Sequence, residues 1–186
     1  MLQLFLTLVA VIGLSVLIEL ATKRLDKRTI QVGVLAIFAF YVIGNLFFTI
    51  LSRDVGSGAY LELRPFQSYV RIFGMVDTGI ANVTGFFAML FRGISPWSGI
   101  LLNILLFYPL GYLLPILFPK LKPKHVILIG CLCSIATEAT QYLLKMGWCE
   151  TDDVIHNTLG TAIGVWIWHL QSKRLNKPKS NELAKD

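Results

Sequence analysis

The chain has 186 residues, of which 55% are hydrophobic and only 15% are charged, and its formal net charge is +6. Soluble domains typically carry about 25% charged residues, so this composition excludes an ordinary soluble protein and indicates an integral membrane protein. The sequence contains no nucleotide-binding loop, no nucleic-acid module and no serine-histidine-acid order, which leaves those classes of function without support.

Five apolar runs define the predicted architecture. About 20 apolar residues cross the hydrocarbon core of a bilayer, and four runs reach this length. The first has neither the basic start nor the small-residue cleavage site of a signal peptide, so we predict a retained span. The fifth is shorter and more polar, but ends in VWIWHL, whose tryptophans suit a membrane interface. The runs lie at 2–21, 30–51, 99–118, 125–144 and 153–170.

These runs are too long and too evenly apolar for the strands of a barrel, which predicts an all-α, multi-pass protein with about five transmembrane helices. Five spans would place residues 23–28, 120–124 and 173–186 on one side, and these segments hold 12 of the 17 lysines and arginines. Because short basic loops stay in the cytoplasm, we predict the N-terminus outside and the C-terminus inside. The predicted organisation is one transmembrane domain over 1–172, with an outer loop at 52–98, and a basic cytoplasmic tail over 173–186.

One stretch of the outer loop, within 79–92, is apolar but too short to cross a bilayer comfortably. We predict an interfacial or re-entrant helix there, and a sixth span is the alternative. A sixth span would spoil the charge asymmetry between the two sides, which argues against it.

Polar side chains collect at the outer ends of the last three predicted spans. Asn103 lies about one turn inside the third span. Glu138 and Gln141 are three residues apart, so they share one face of the fourth helix. A carboxylate inside a membrane is costly unless it is paired, which makes Glu138 a candidate functional residue. Asn103 and Gln141 have a simpler alternative, as hydrogen bonds between helices.

A stripe of small and polar residues follows on the fifth span. Asp153, Asn157, Gly160 and Gly164 are separated by 4, 3 and 4 residues, so they lie along one helical face. The two glycines favour close helix packing, and we expect them to contact the fourth span. Asp152 is rotated about 100° from this stripe, so its replacement is expected to matter less than that of Asp153.

Four segments together resemble the VanZ-like family of bacterial membrane proteins, over about half of the chain. They are LRPFQSY in the outer loop, NILLFYPLGYLLP with Asn103, Phe107, Pro109, Leu110 and Gly111, SIATEATQ with Glu138 and Gln141, and DDVIHNTLGTAIG with Asp153, Asn157, Gly160 and Gly164. The resemblance implies a bacterial plasma-membrane protein that contributes to low-level resistance to teicoplanin-type lipoglycopeptides. Gly111 joins Gly160 and Gly164 as an expected helix-packing position.

The chain departs from the family at one place. The family often has Gly-Arg and then an aspartate before the paired acids, whereas this chain has Gly147-Trp148-Cys149-Glu150. Without that arginine, Arg64 or Lys145 remains as a possible cation for the carboxylates. Arg64 precedes Pro65-Phe66 and could fold into the site.

The sequence therefore predicts an outward-facing pocket that binds the polar head of an amphiphile, either a lipid-linked envelope precursor or a lipoglycopeptide. The alternative is an intramembrane enzyme acting on a lipid head group, with Glu138 as general acid or base and Asp153 as its partner. The predicted partner is the lipid bilayer, and we predict no metal, no cofactor and no nucleic acid. The oligomeric state stays open. The predicted ligand-binding residues are Arg64, Asn103, Glu138, Gln141, Asp153 and Asn157.

Overall fold

The computed structural model describes residues 2–77 and 96–175. Helices dominate these residues, as the sequence predicted. The stretch within 79–92 lies outside the described residues, as does most of the basic tail. In chain order the elements are α1 (Leu2–Thr22), α2 (Lys27–Leu46), a π-helix (Phe47–Leu51), β1 (Gly58–Glu62), α3 (Gln67–Asp77), α4 (Pro96–Leu117), α5 (Pro123–Leu143), β2 (Met146–Glu150) and α6 (Thr151–Leu175).

Four of the described helices are long and apolar enough to cross a membrane: α1, α2 with the π-helix, α4 and α5. They coincide with the first four predicted spans, which confirms an all-α membrane protein. The fifth predicted span is also helical and forms the 25-residue α6. Helix α6 is too polar to count among the helices that are apolar enough to cross a membrane. That α6 crosses the membrane, and which way the chain is oriented, therefore stay predictions.

The turn between α1 and α2 is closed by Asp26, the N-cap of α2. Its carboxylate accepts hydrogen bonds from the Thr29 amide at 3.0 Å and from the Thr29 hydroxyl at 2.5 Å. These bonds lower the pKa of Asp26. An acceptor at this position satisfies an amide that the first turn of a helix leaves unpaired, so the chain reverses direction within a few residues.

Helix α4 lies at the centre of the bundle. One cluster of buried side chains joins it to α1 and α2, and a second joins it to α5 and α6. Burial of these side chains holds α4 among its four neighbours. The first cluster contains Val11, Ile18, Val34, Tyr108, Tyr112 and Leu113, and the second contains Phe107, Leu110, Leu114, Val126 and Val165.

The glycine stripe of α6 packs against α4, not against α5 as we had expected. A Cβ atom on Gly160 would lie 2.2 Å from the carbonyl oxygen of Ile104, and one on Gly164 would lie 2.2 Å from that of Tyr108. From the other side, a Cβ atom on Gly111 would lie 1.9 Å from the carbonyl oxygen of Thr161. Small residues predict a close approach of two backbones, but they do not identify which neighbour approaches.

Two short parallel strands cover the end of the bundle that holds the polar residues. Strand β1 pairs with β2 from Gly58 opposite Met146 to Glu62 opposite Glu150, and the rings of Tyr60 and Trp148 stack with centroids 5.0 Å apart. No pattern in the sequence predicted these strands. The pairing fixes the outer loop over the ends of α5 and α6.

Candidate functional site

Carboxylates from α5, β2 and α6 converge beneath the strand pair. We call them the acid cluster, and they are Glu138, Glu150, Asp152 and Asp153. Asp152 and Glu138 are buried, with only 2% and 5% of their surface exposed, while Asp153 and Glu150 are partly buried. Because burial removes carboxylates from water at considerable cost, each of these groups needs hydrogen-bond donors or cations nearby. The sequence predicted the convergence of Glu138 and Asp153, and the structure adds the other two acids.

Glu138 is fixed by the backbone of β2. Its Oε2 atom accepts a hydrogen bond from the amide of Glu150 at 3.0 Å. Glu138 also interacts electrostatically with Asp153 and with Arg53, which follows the π-helix. The helix α5 therefore presents a buried carboxylate to a second acid and to a cation from the outer loop.

Asp153, near the start of α6, is hydrogen-bonded to α4. Its Oδ1 atom accepts a hydrogen bond from the side-chain amide of Asn103 at 2.7 Å. Asp153 also interacts electrostatically with Arg53 and Glu150. The structure thus brings Asn103, Glu138 and Asp153 to one place, as the helical spacing predicted.

Gln141 and Asn157 make contacts between helices. The side-chain amide of Gln141 donates to the carbonyl of Thr49 at 2.8 Å, and that of Asn157 donates to the hydroxyl of Ser134 at 2.8 Å. Both side chains are buried, and neither amide oxygen has a hydrogen-bond partner within residues 2–77 and 96–175. These two residues therefore join α5 to the π-helix and to α6, and each keeps an acceptor atom unused.

Arg64 does not fold into the acid cluster. Its side chain is 74% exposed and donates to both carboxylate oxygens of Glu62 at 2.9 Å. The hydrogen bonds from Arg64 lower the pKa of Glu62 from its ordinary value to about 2. Lys145 is exposed as well, and its carbonyl accepts from Gly58. Among the described residues, Arg53 is the basic side chain that interacts electrostatically with both Glu138 and Asp153, and no sequence pattern pointed to it.

Asp152 has a larger structural role than we had expected. Its carboxylate accepts hydrogen bonds from the amides of Phe66 at 2.5 Å and Ser68 at 2.6 Å, at the N-terminus of α3. Four residues later on the same helical face, the Nε2 atom of His156 lies 3.0 Å from the hydroxyl of Tyr69. Asp152 and His156 thus dock α3 onto α6. The spacing of four residues between Asp152 and His156 is the feature of the sequence from which this second polar face of α6 could have been predicted.

A groove of about 330 Å³ lies between α2, α4 and α5. Its α5 wall lies on a helical face that is rotated by about 150° from Glu138, so the groove is separate from the carboxylates. Most of its lining is apolar, with a few hydroxyl and amide groups. Its lining includes Tyr41, Asn45, Phe107, Leu110, Cys133, Thr137 and Thr140.

Residues 32–172 match the VanZ/LLP1 family. The chain belongs to the VanZ/LLP1 family. The matched range covers α2 to α6 and includes Asn103, Glu138 and Asp153. A curated relative is Protein VanZ of Enterococcus faecium, which is 30% identical over 79 residues, 41% of this chain and 48% of that protein. The match spans about half the length of that relative, and no solved structure matches the chain.

In this VanZ/LLP1 chain the residues before the paired acids belong to β2. Trp148 and Cys149 occupy the place where the family often has an arginine, and Trp148 stacks on Tyr60 of β1. Arg53, an exposed residue of the outer loop, interacts electrostatically with Glu138 and Asp153 but lies beyond ion-pair distance of both. Arg71 pairs with Glu150 at 2.9 Å. Within residues 2–77 and 96–175, no three acidic, histidine or cysteine side chains could hold a metal ion.

Proposed function

We propose that this VanZ-like protein of the cell envelope lowers the susceptibility of a bacterium to teicoplanin-type lipoglycopeptides. It does so from the plasma membrane, by binding the polar head of an amphiphile at Asn103, Glu138 and Asp153. The observation that carries this proposal is the buried carboxylate of Glu138, which lies in a membrane helix beside Asp153 and Arg53.

The polar groups of the cluster suit a head group with hydroxyl, amide or ammonium donors. A carboxylate accepts several hydrogen bonds, so Glu138 and Asp153 keep acceptor capacity beyond the bonds from Glu150 and Asn103. Arg53 adds a cation for an anionic part of the same head group, such as a phosphate or a carboxylate.

The groove between α2, α4 and α5 supports an amphiphile in preference to a soluble ligand. A volume of about 330 Å³ among the membrane helices accommodates part of an acyl or isoprenoid chain, on a different face of α5 from Glu138. A lipid-linked envelope precursor and a lipoglycopeptide both combine such a chain with a polar head. The link to teicoplanin rests on the family and on the 30% identity to VanZ over 79 residues.

Inhibitory concentrations test this proposal in a strain that lacks the gene and carries a plasmid copy. Wild-type protein should raise the inhibitory concentration of teicoplanin several-fold, and Glu138→Gln should return it to the level of the deletion strain. Asp54→Asn is the matched control, because it removes an exposed acid of the same outer loop. Unchanged concentrations of teicoplanin, daptomycin and vancomycin with and without the protein would refute the proposal.

The proximity of two carboxylates also favours a second candidate, chemistry on a lipid head group. In this alternative Glu138 transfers a proton as general acid or base and Asp153 assists it. Purified protein supplied with lipid-linked sugars or phosphates should then yield product, and Glu138→Gln should abolish the turnover. Binding of the same lipids without product would leave the binding proposal in place and exclude the enzyme.

A further inference from the structure

A large cavity lies at the opposite end of the bundle from the acid cluster. It has a volume of about 820 Å³ and opens between the ends of α1, α2, α4 and α6. We call it the basic-end crevice. Its apolar wall continues along the helices, whereas polar and charged residues surround its opening. The apolar wall includes Ile18, Ile30, Tyr112, Ile116 and Trp168.

The charges at the opening of the basic-end crevice are mainly positive. Lys23, Lys27 and Arg174 line it, and Glu19 is its acidic residue among the described residues. Glu19 already pairs with Lys23 at 3.3 Å. Within residues 2–77 and 96–175, no carboxylate lies at ion-pair distance from Lys27 or Arg174. These two cations are therefore available to an anion that enters the crevice.

Uncharged polar groups complete the opening. Gln31, Gln171 and Ser172 line it beside the cations. The amide oxygen of Gln171 accepts a hydrogen bond from the hydroxyl of Tyr112 at 2.5 Å, which fixes the side chain at the boundary between the polar and apolar parts. The crevice thus passes from cations through amides to an apolar wall, in the order in which a phospholipid changes from phosphate to glycerol esters to acyl chain.

We infer that the basic-end crevice binds an anionic glycerophospholipid. Its phosphate lies at Lys27 and Arg174, and the part of its acyl chain nearest the head group lies against Ile30 and Trp168. Charge complementarity selects an anion. The position at the ends of apolar membrane helices selects a lipid in preference to a soluble anion, because lipid head groups are concentrated there. On the predicted orientation this site faces the inner leaflet, so it is separate from the outer acid cluster and does not depend on the proposed function.

Native mass spectrometry tests this inference on the full chain. The protein is reconstituted in phosphatidylcholine vesicles that contain phosphatidylglycerol, extracted in detergent, and the retained lipids are counted. Wild-type protein should retain phosphatidylglycerol in preference to phosphatidylcholine. The double variant Lys27→Gln with Arg174→Gln should lower this retention about tenfold, because each basic residue near an anionic head group contributes to binding.

The control is Lys122→Gln with Lys124→Gln, which removes two charges from the same side of the bundle outside the crevice. It should retain phosphatidylglycerol as wild type does, and so should Glu138→Gln in the other site. Equal losses in the crevice and control variants would overturn the inference, as would equal retention of the two lipids by wild type. Displacement of the lipid by inorganic phosphate alone would overturn the choice of a lipid. Thermal unfolding of each variant establishes that it is folded.

Discussion

At the scale of single residues, Asp152 and Glu138 have different tasks although both are buried acids. Asp152 accepts the two amides at the start of α3, where the first turn of a helix leaves its N–H groups unpaired and attracts a negative charge. Glu138 accepts the amide at the end of β2 and interacts electrostatically with Asp153 and Arg53. Asp152 therefore stabilises the fold of the outer loop, whereas Glu138 is placed to meet a ligand.

We predict that Asp152→Ala destabilises the protein more than Asp153→Ala. The first variant leaves the amides of Phe66 and Ser68 without their charged acceptor, a loss of about 3 kcal/mol, whereas the second removes one bond to Asn103. Thermal unfolding of the purified variants in detergent measures the difference. An equal or larger loss of stability in Asp153→Ala would contradict this account of Asp152.

A second prediction concerns the cation of the site. Arg53→Gln should reduce resistance to teicoplanin more than Arg64→Gln, because Arg53 interacts with Glu138 and Asp153 while Arg64 is paired with Glu62. The pKa of Glu62, lowered to about 2, keeps this pair intact above that pH, and the pair is lost only as the pH falls through about 2. Glu62 should therefore stay ionised, and able to pair with Arg64, at any pH of growth. A larger effect of Arg64→Gln would favour the role that the sequence predicted for it.

Helical spacing in the sequence places Asn103, Glu138 and Asp153 at the same depth of three spans, and residues at one depth can meet when their helices pack together. Spacing does not decide between the cations of the outer loop. That choice depends on ion pairs within the loop, where Glu62 lies two residues from Arg64 and pairs with it. The docking of Asp152 onto α3 also depends on the path of the loop, which no periodicity describes.

At the scale of the elements, the contact between α4 and α6 holds the site together. Asn103 on α4 binds Asp153 at the start of α6, and the glycines of α6 allow the two backbones to touch farther along. The bounds of the helices were predictable because long apolar runs must satisfy their amides internally. The partner of the glycine stripe was not, and neither were β1 and β2, whose five residues each are too short for a clear pattern.

Enlarging a glycine at this contact should therefore disturb the site without removing a polar group. In Gly164→Ala the new Cβ atom would lie 2.2 Å from the carbonyl oxygen of Tyr108, so the helices must separate, at a cost of about 1–3 kcal/mol. Gly33→Ala in α2 is the control, because no atom of the described residues lies within 4 Å of its Cβ position, and it should keep or slightly raise stability. Thermal unfolding and teicoplanin susceptibility measure both effects; equal behaviour of the two variants would argue against the close α4–α6 contact.

At the scale of the whole molecule, the two ends of the bundle differ in charge. The acid cluster and Arg53 lie at one end, and the basic-end crevice lies at the other. If all five long helices cross the membrane, the acids face outward and the crevice faces the cytoplasm, as the distribution of lysine and arginine predicts. Helix α6 decides this arrangement, since its polar composition distinguishes it from the other four.

Labelling of single cysteines tests the crossing of α6. The native residues Cys131, Cys133 and Cys149 are first replaced by alanine, and one cysteine is then introduced at Asp54 or Lys173. A membrane-impermeant maleimide should label position 54 in intact cells, and position 173 only after the membrane is permeabilised. Labelling of both positions from outside would show that α6 does not cross.

The measurement that tests the central claim most directly is mass spectrometry of the amphiphiles that co-purify with the protein from its membrane. Wild type and Asp54→Asn should retain the same amphiphile, and Glu138→Gln should lose it while it keeps the phosphatidylglycerol of the basic-end crevice. The same amphiphiles on all three proteins, in the same amounts, would contradict a binding site at Glu138.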